Sequence, residues 1–129
     1  MGTRARQERE RRAMEEEIIS TALAMVRADG AASLSLRQVA ERMEYSSAAL
    51  YRYFPDKAAL VETICGRGFA ELADRLRAVP ADLPAADRLV ALGEAYLRFA
   101  ADEPHLYTLM FVDMLPGQAH QAPSTRQHL

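Results

Sequence analysis

Met14, Ile18, Ala22, Met25 and Val26 recur at helical spacing, broadened by Ile19 and Leu23, and predict a first amphipathic helix from about Glu8 to Ala28 with one inward stripe. Asp29-Gly30 ends it, with Gly30 free to take a left-handed cap. After a short link from Ala31 to Leu34, Ser35 and Gln38 form a capping box ahead of a second helix whose buried face is Leu36, Val39, Ala40 and Met43. Glu44, Tyr45 and Ser46 separate that helix from a third run anchored on Ala49, Leu50 and Phe54. So short a gap suits a helix-turn-helix corner with Ser46 capping its second helix. The first helix is expected to lie across the two shorter ones and share one small core with them.

Pro55, Asp56 and Lys57 interrupt the pattern, and a longer helix is expected from Asp56 to Val79 on Leu60, Val61, Ile64, Gly68, Phe69, Leu72, Leu76 and Val79. Pro80 and Pro84 bracket a linker. Ala85 to Ala101 then forms a helix with Leu89, Leu92, Tyr96 and Leu97 as its stripe and Phe99 and Ala100 beside it. Asp102 is expected to cap a last helix, with Glu103 and Pro104 in its first turn and His105 to Leu115 continuing it. PGQAHQAPSTRQHL, beyond Pro116, reads as a flexible tail. The fold class is all-α: a three-helix unit with a helix-turn-helix, followed by a partial helical bundle.

The second helix of the corner carries the candidate chemistry. With Ala49, Leu50 and Phe54 inward, its outer side shows Ser47, Ala48, Tyr51 and Arg52, with Tyr53 near the edge. Small residues allow close approach to a surface, and hydroxyls and a guanidinium suit phosphates and base edges in a major groove. Tyr51 and Tyr53 equally suit covering neighbouring helices with their rings. Arg52 has the geometry for two parallel hydrogen bonds to guanine, Lys57 suits phosphate, and Ser46, Arg37 and Gln38 are placed for backbone or a base edge. In the second half, Phe69, Tyr96, Tyr107, Met110 and Met114 suit either a malleable apolar cavity or ordinary core.

Gly30, Leu36, Val39, Ala40, Ser46, Leu50, Tyr51, Tyr53, Phe54, Lys57 and Leu60 stand in the order and spacing of the amino-terminal DNA-binding domain of the tetracycline-repressor (TetR) family, which this chain resembles from roughly Glu16 to Leu60. It departs from the family pattern at Glu44 and Tyr45, where a Gly followed by a small aliphatic residue is common. Glu at such a corner either adopts a positive φ at a cost or avoids it. The resemblance implies a sequence-specific regulator of transcription that binds a double-stranded DNA operator, and a ligand-responsive repressor with a small apolar effector. YLRFAADEPHLYTLMF then resembles part of the divergent effector-binding domain. The expected division is 1–15 as a basic and acidic arm or helix extension, 16–60 as the DNA-binding domain, 61–115 as a partial effector domain and 116–129 as tail. The alternative is a helical protein-interaction module without specific DNA binding. A homodimer follows from the resemblance. Against it, no surplus pair of long helices follows Leu115, which predicts a mainly monomeric or loosely self-associating chain exposing Leu106, Leu109, Met110 and Val112.

Composition narrows these readings. In 129 residues, 50% are hydrophobic and 26% charged, a globular balance. The net charge of −2 is unevenly spread: ten basic and ten acidic residues lie up to Cys65, and six and eight beyond it. Arg4, Arg6, Arg9, Arg11 and Arg12 precede the first helix core and form either an arm that follows phosphates or a solvated helix end laced with Arg–Glu pairs. No apolar run reaches a membrane span and the start lacks a secretory segment, so a cytoplasmic location is expected. Cys65 stands alone, His120 and His128 have no third ligand, and His105 has no nucleophile constellation. Neither metal, cofactor nor enzymatic activity is expected.

Overall fold

The computed structural model describes residues 2–113. Met114, Leu115 and the expected tail lie outside the described residues. The order is α1 (Gly2–Asp29), α2 (Leu36–Met43), α3 (Ser47–Tyr51), α4 (Lys57–Arg77), α5 (Ala85–Asp102) and α6 (Pro104–Thr108), followed directly by a π-helical turn over Leu109–Asp113. The chain divides into two compact units at Ile64 and Cys65, and α4 runs unbroken through that division.

The first unit is set by local signals. Gly30, at φ 83°, closes α1 with its N–H on the Val26 carbonyl at 2.8 Å. Ser35 Oγ accepts the Gln38 N–H at 3.0 Å and starts α2, and Ser46 Oγ accepts the Ala49 N–H at 3.2 Å and starts α3. Between them Glu44 adopts the left-handed conformation, φ 63° and ψ 37°. The Tyr45 N–H reaches the Ala40 carbonyl at 2.9 Å and the Glu44 N–H reaches Glu41 at 3.2 Å, a Schellman closure with Glu where glycine is the usual residue. Ile18, Ile19, Ala22 and Val26 of α1, Leu36, Val39 and Ala40 of α2, and Leu50, Phe54, Leu60 and Ile64 are buried. Met14, Leu23 and Met25 are only half-buried, so the inward stripe of α1 is narrower than its spacing predicts. The helix itself begins at Gly2, well before Glu8, because Arg–Glu pairs four apart support its exposed turns.

The second unit corrects several expectations. Asp102 does not cap the last helix. It ends α5 and pairs with Arg75 at 2.9 Å, while Glu103 takes the cap position without a capping hydrogen bond from its side chain and Pro104 opens α6. Leu89 and Leu97 are 71% and 66% exposed, because the buried side of α5 turns instead on Phe99. The patch expected to be exposed is largely inside: Leu106, Leu109 and Met110 are buried, and only Val112 of that set is exposed. Gly68 is the reason Met110 fits, since a Cβ there would stand 2.5 Å from the Met110 Sδ. Cys65 donates to the Leu109 carbonyl at 3.9 Å; burial, and then the Asp113 charge, push its thiol up. Arg75 lies over the Phe99 ring at 5.3 Å, and its hydrogen bond to Asp102 raises the guanidinium above its ordinary value.

Candidate nucleic-acid interface

α2 and α3 pack against each other through the Glu44–Ser46 corner. α3 is only five residues long, and Leu50 is its deeply buried anchor, with Phe54 just beyond. The remaining residues of that stretch are therefore left for display. Ser46, Ala48, Tyr51 and Arg52 are exposed, whereas Ser47 and Tyr53 are half-buried. Ser46 already accepts a cap bond, which leaves its hydroxyl hydrogen for an acceptor such as a phosphate oxygen. Arg52 sits at the end of α3 in helical conformation, and among the described residues its guanidinium makes no ion pair. It is a fork of donors without a competing acceptor.

The flanking candidates are already engaged. Arg37 Nε lies 3.6 Å from Glu41 Oε1, an exposed pair of small energetic weight. Lys57 opens α4, where a cation opposes the helix dipole, and its Nζ donates to the Ala31 carbonyl at 3.4 Å. That bond is long enough to be exchanged readily for a phosphate. Asp56 takes over the capping of α4, accepting the Ala59 N–H at 2.9 Å on Oδ1. Gln38 faces a groove shared with Met25, Asp29, Ser33, Glu41 and Arg42. Tyr53 faces a different one, lined by Arg4, Gln7, Glu8, Glu10, Arg11 and Met14, with the Arg11 guanidinium 5.4 Å from the Tyr53 ring centroid. The sequence suited Arg11 either to a basic arm or to a solvated helix end and gave no sign of this contact, for which spacing along the chain carries no signal.

In the second unit, three of the candidate ligand residues share one aromatic cluster. Tyr96 and Tyr107 stand edge to face at 5.9 Å with their hydroxyls 2.9 Å apart, a hydrogen bond that raises the Tyr96 phenol above its ordinary value, with burial adding to it. Phe111 joins Tyr107 at 4.8 Å, Tyr96 at 5.9 Å and Phe69 at 5.3 Å. It is the hub, yet it was absent from the candidate set, although its place four residues after Tyr107 is a helical neighbour signal. Phe69 remains 44% exposed, Met110 packs at Gly68, and Met114 lies outside the described residues. Among the described residues no group of three or more His, Cys, Asp or Glu is placed to hold a metal ion, and no helix is long and apolar enough to cross a membrane.

Comparison with known proteins covers both units. Residues 18–64 match the family model described as bacterial regulatory proteins, tetR family, and residues 89–129 match one described as tetracyclin repressor-like, C-terminal domain. The HTH-type transcriptional regulator Rv1816 of Mycobacterium tuberculosis is 30% identical over 100 residues, which are 75% of this chain and 42% of that protein. The HTH-type transcriptional repressor KstR of Mycolicibacterium smegmatis is 35% identical over 72 residues, 56% of this chain and 33% of the repressor. The chain thus spans less than half the length of these curated relatives. The crystal structure of SCO4313 superposes with a TM-score of 0.67 at 36% identity, over 85% of this chain and 53% of that one. A TetR-family transcriptional regulator from Haemophilus influenzae, 20% identical, shares the fold with a TM-score of 0.57 over 84% of this chain and 61% of its own. With the capped corner, the two successive family matches and these relatives together, the chain belongs to the TetR family of bacterial regulatory proteins.

Proposed function

We propose that this chain is a sequence-specific, double-stranded-DNA-binding regulator of transcription that reads through α3 and acts as a ligand-responsive repressor. The observation that carries the reading is the asymmetry of α3: one anchored apolar side on Leu50, and an opposite side of Ala48, Tyr51 and Arg52 left in solvent. A helix so short and so sparsely side-chained can enter a major groove, with Arg52 offered to guanine and Ser46, Ser47, Tyr51, Tyr53 and Lys57 to phosphates and neighbouring base edges. Arg37 and Gln38 reach the duplex from the start of α2. Residues 16–60 form the DNA-binding domain in this reading and 61–115 belong to the effector domain.

Ligand response is supported by the second unit. The ring cluster around Phe111 offers aromatic faces beside a hydroxyl pair, the chemistry of a mostly apolar site with a few polar groups. α4 belongs to both units and is the covalent path by which such binding would reach Lys57. The test is enrichment from a library of randomised duplexes by the purified chain, followed by titration of the winning duplex. A shared motif bound at least about 1000-fold more tightly than unrelated duplex at physiological salt supports the reading. Uniform, weak binding to every duplex rejects it.

A further inference from the structure

The first buried residue of α1 is Ile18, so the turns from Gly2 to Glu17 carry the helix beyond the core of the first unit. Those turns are braced by pairs four residues apart, Arg6 with Glu10 at 3.9 Å, Arg12 with Glu8 at 3.8 Å and Arg11 with Glu15 at 3.3 Å. Arg11 also leaves its own helix. Its guanidinium carbon stands 5.4 Å from the centroid of the Tyr53 ring, within the range of a cation–π contact. Tyr53 lies just past α3, where its N–H still bonds the Leu50 carbonyl at 2.9 Å but no further helical turn holds its side chain. Its ring is half-buried, with Met14 and Arg11 sharing the groove it faces.

We propose that Arg11 is a positioning residue for DNA reading: its guanidinium holds the Tyr53 ring so that the phenolic hydroxyl is presented to the DNA backbone. The inference rests on the DNA-binding reading of α3. A tyrosine ring has two soft torsions, and fixing them before the duplex arrives removes an ordering cost from binding. The guanidinium supplies that restraint from over the ring face, not from the hydroxyl edge. Arg11 is poorly placed to be a phosphate ligand itself, because its charge is already shared between the Tyr53 ring and the Glu15 carboxylate. The extension of α1 thereby gains a role that is neither a loose basic arm nor a bare solvated end.

The test uses the full chain and the duplex it selects from a randomised library, titrated at several salt concentrations. Arg11→Gln is expected to weaken binding about two- to fivefold, the exposed cation–π range, with the salt slope unchanged. In a Tyr53→Phe background, which keeps the ring face but lacks the hydroxyl, Arg11→Gln is expected to cost nothing more. Arg11→Lys, which retains a cation for the ring, recovers part of the loss. Without DNA, the Arg11 side-chain proton resonances should be shifted upfield by the ring and should return to ordinary positions in Tyr53→Leu. A loss that persists in the Tyr53→Phe background, or a slope reduced in magnitude by about one unit, makes Arg11 a direct phosphate contact and overturns the positioning role. If the wild type selects a duplex and Arg11→Gln binds it equally well, the positioning role falls alone. If the wild type selects none, the DNA reading falls and the role falls with it.

Discussion

Tyr51 leaves 52% of its surface in solvent at the end of a five-residue helix, whereas Tyr96 and Tyr107 in the second unit meet edge to face and share a hydroxyl bond at 2.9 Å. The same residue type is displayed in one unit and packed in the other. The difference follows from helix length and from what stands opposite. α3 is too short to bring a second turn of cover over its own surface, and its inward side is taken up by Leu50. α5 runs from Ala85 to Asp102, long enough to bring Tyr96 opposite α6 and its π-helical continuation, where Tyr107 and Phe111 complete a ring cluster. An aromatic surplus with nothing opposite it marks a surface, and a surplus that meets rings on a neighbouring helix marks packing.

The comparison is broken most directly at Phe99, the fully buried ring of α5 on which Arg75 rests. Phe99→Ala is expected to destabilise the protein by about 3–5 kcal/mol in urea unfolding followed by far-ultraviolet circular dichroism. A loss below about 1 kcal/mol would mean that ring packing does not organise the second unit. The mirror experiment is Arg52→Ala in the first unit. Its guanidinium is displayed rather than packed, so stability should hold while binding to a selected duplex weakens by about 1–3 kcal/mol and one base preference relaxes. Equal binding curves would remove Arg52 from the reading surface. Lys57→Ala should instead weaken binding to unrelated duplexes alike and reduce the magnitude of the salt slope by about one unit. A loss confined to a single duplex with the slope intact would reassign Lys57 to specificity.

Smaller effects sharpen the contrast. Glu44 holds a left-handed backbone at φ 63°, and glycine relieves about 1–2 kcal/mol of that strain while losing about 0.5–1 kcal/mol in unfolded-chain entropy. Glu44→Gly should therefore stabilise the protein by up to about 1.5 kcal/mol, read as a higher urea midpoint at unchanged slope. Destabilisation would mean that the Glu44 side chain contributes something the backbone geometry does not reveal. The last effect is a pH dependence at Tyr96, whose phenol is raised first by the hydrogen bond to Tyr107. A pKa raised on folding gives stabilisation that is complete below the ordinary tyrosine value of 10.0 and lost as pH climbs through the raised one. The stability difference between wild type and Tyr96→Phe should accordingly shrink above that pH, and a constant difference would argue against a hydroxyl pair in solution.

The legibility of the chain divides along the same line. Ser35, Ser46 and Gly30 announced their roles because a cap joins a side chain or a permissive backbone to groups within three or four residues. Asp102 offered the same kind of signal and misled. A carboxylate before Glu103-Pro104 has the pattern of a cap, but Arg75, 27 positions earlier, captured it. The α5 stripe held only in part for a related reason: Leu89, Leu92, Tyr96 and Leu97 satisfy helical spacing, yet Leu89 and Leu97 are exposed and Phe99, beside the stripe, is the residue that is wholly buried.

What the sequence determined by itself is the series of helices, the helix-turn-helix corner with its two serine caps, and the family to which they point. Each rests on interactions within one turn, whose energetics travel with the local residues. Only the tertiary structure decided that Glu44 accepts a left-handed backbone, that Lys57 rests on the Ala31 carbonyl, that Phe111 is the centre of the ring cluster and that Arg11 covers Tyr53. Apart from the local closure at Glu44, those outcomes join residues far apart in the chain. Spacing states which side of a helix is apolar, but burial is a property of two surfaces, and the second surface is known only when the chain has folded.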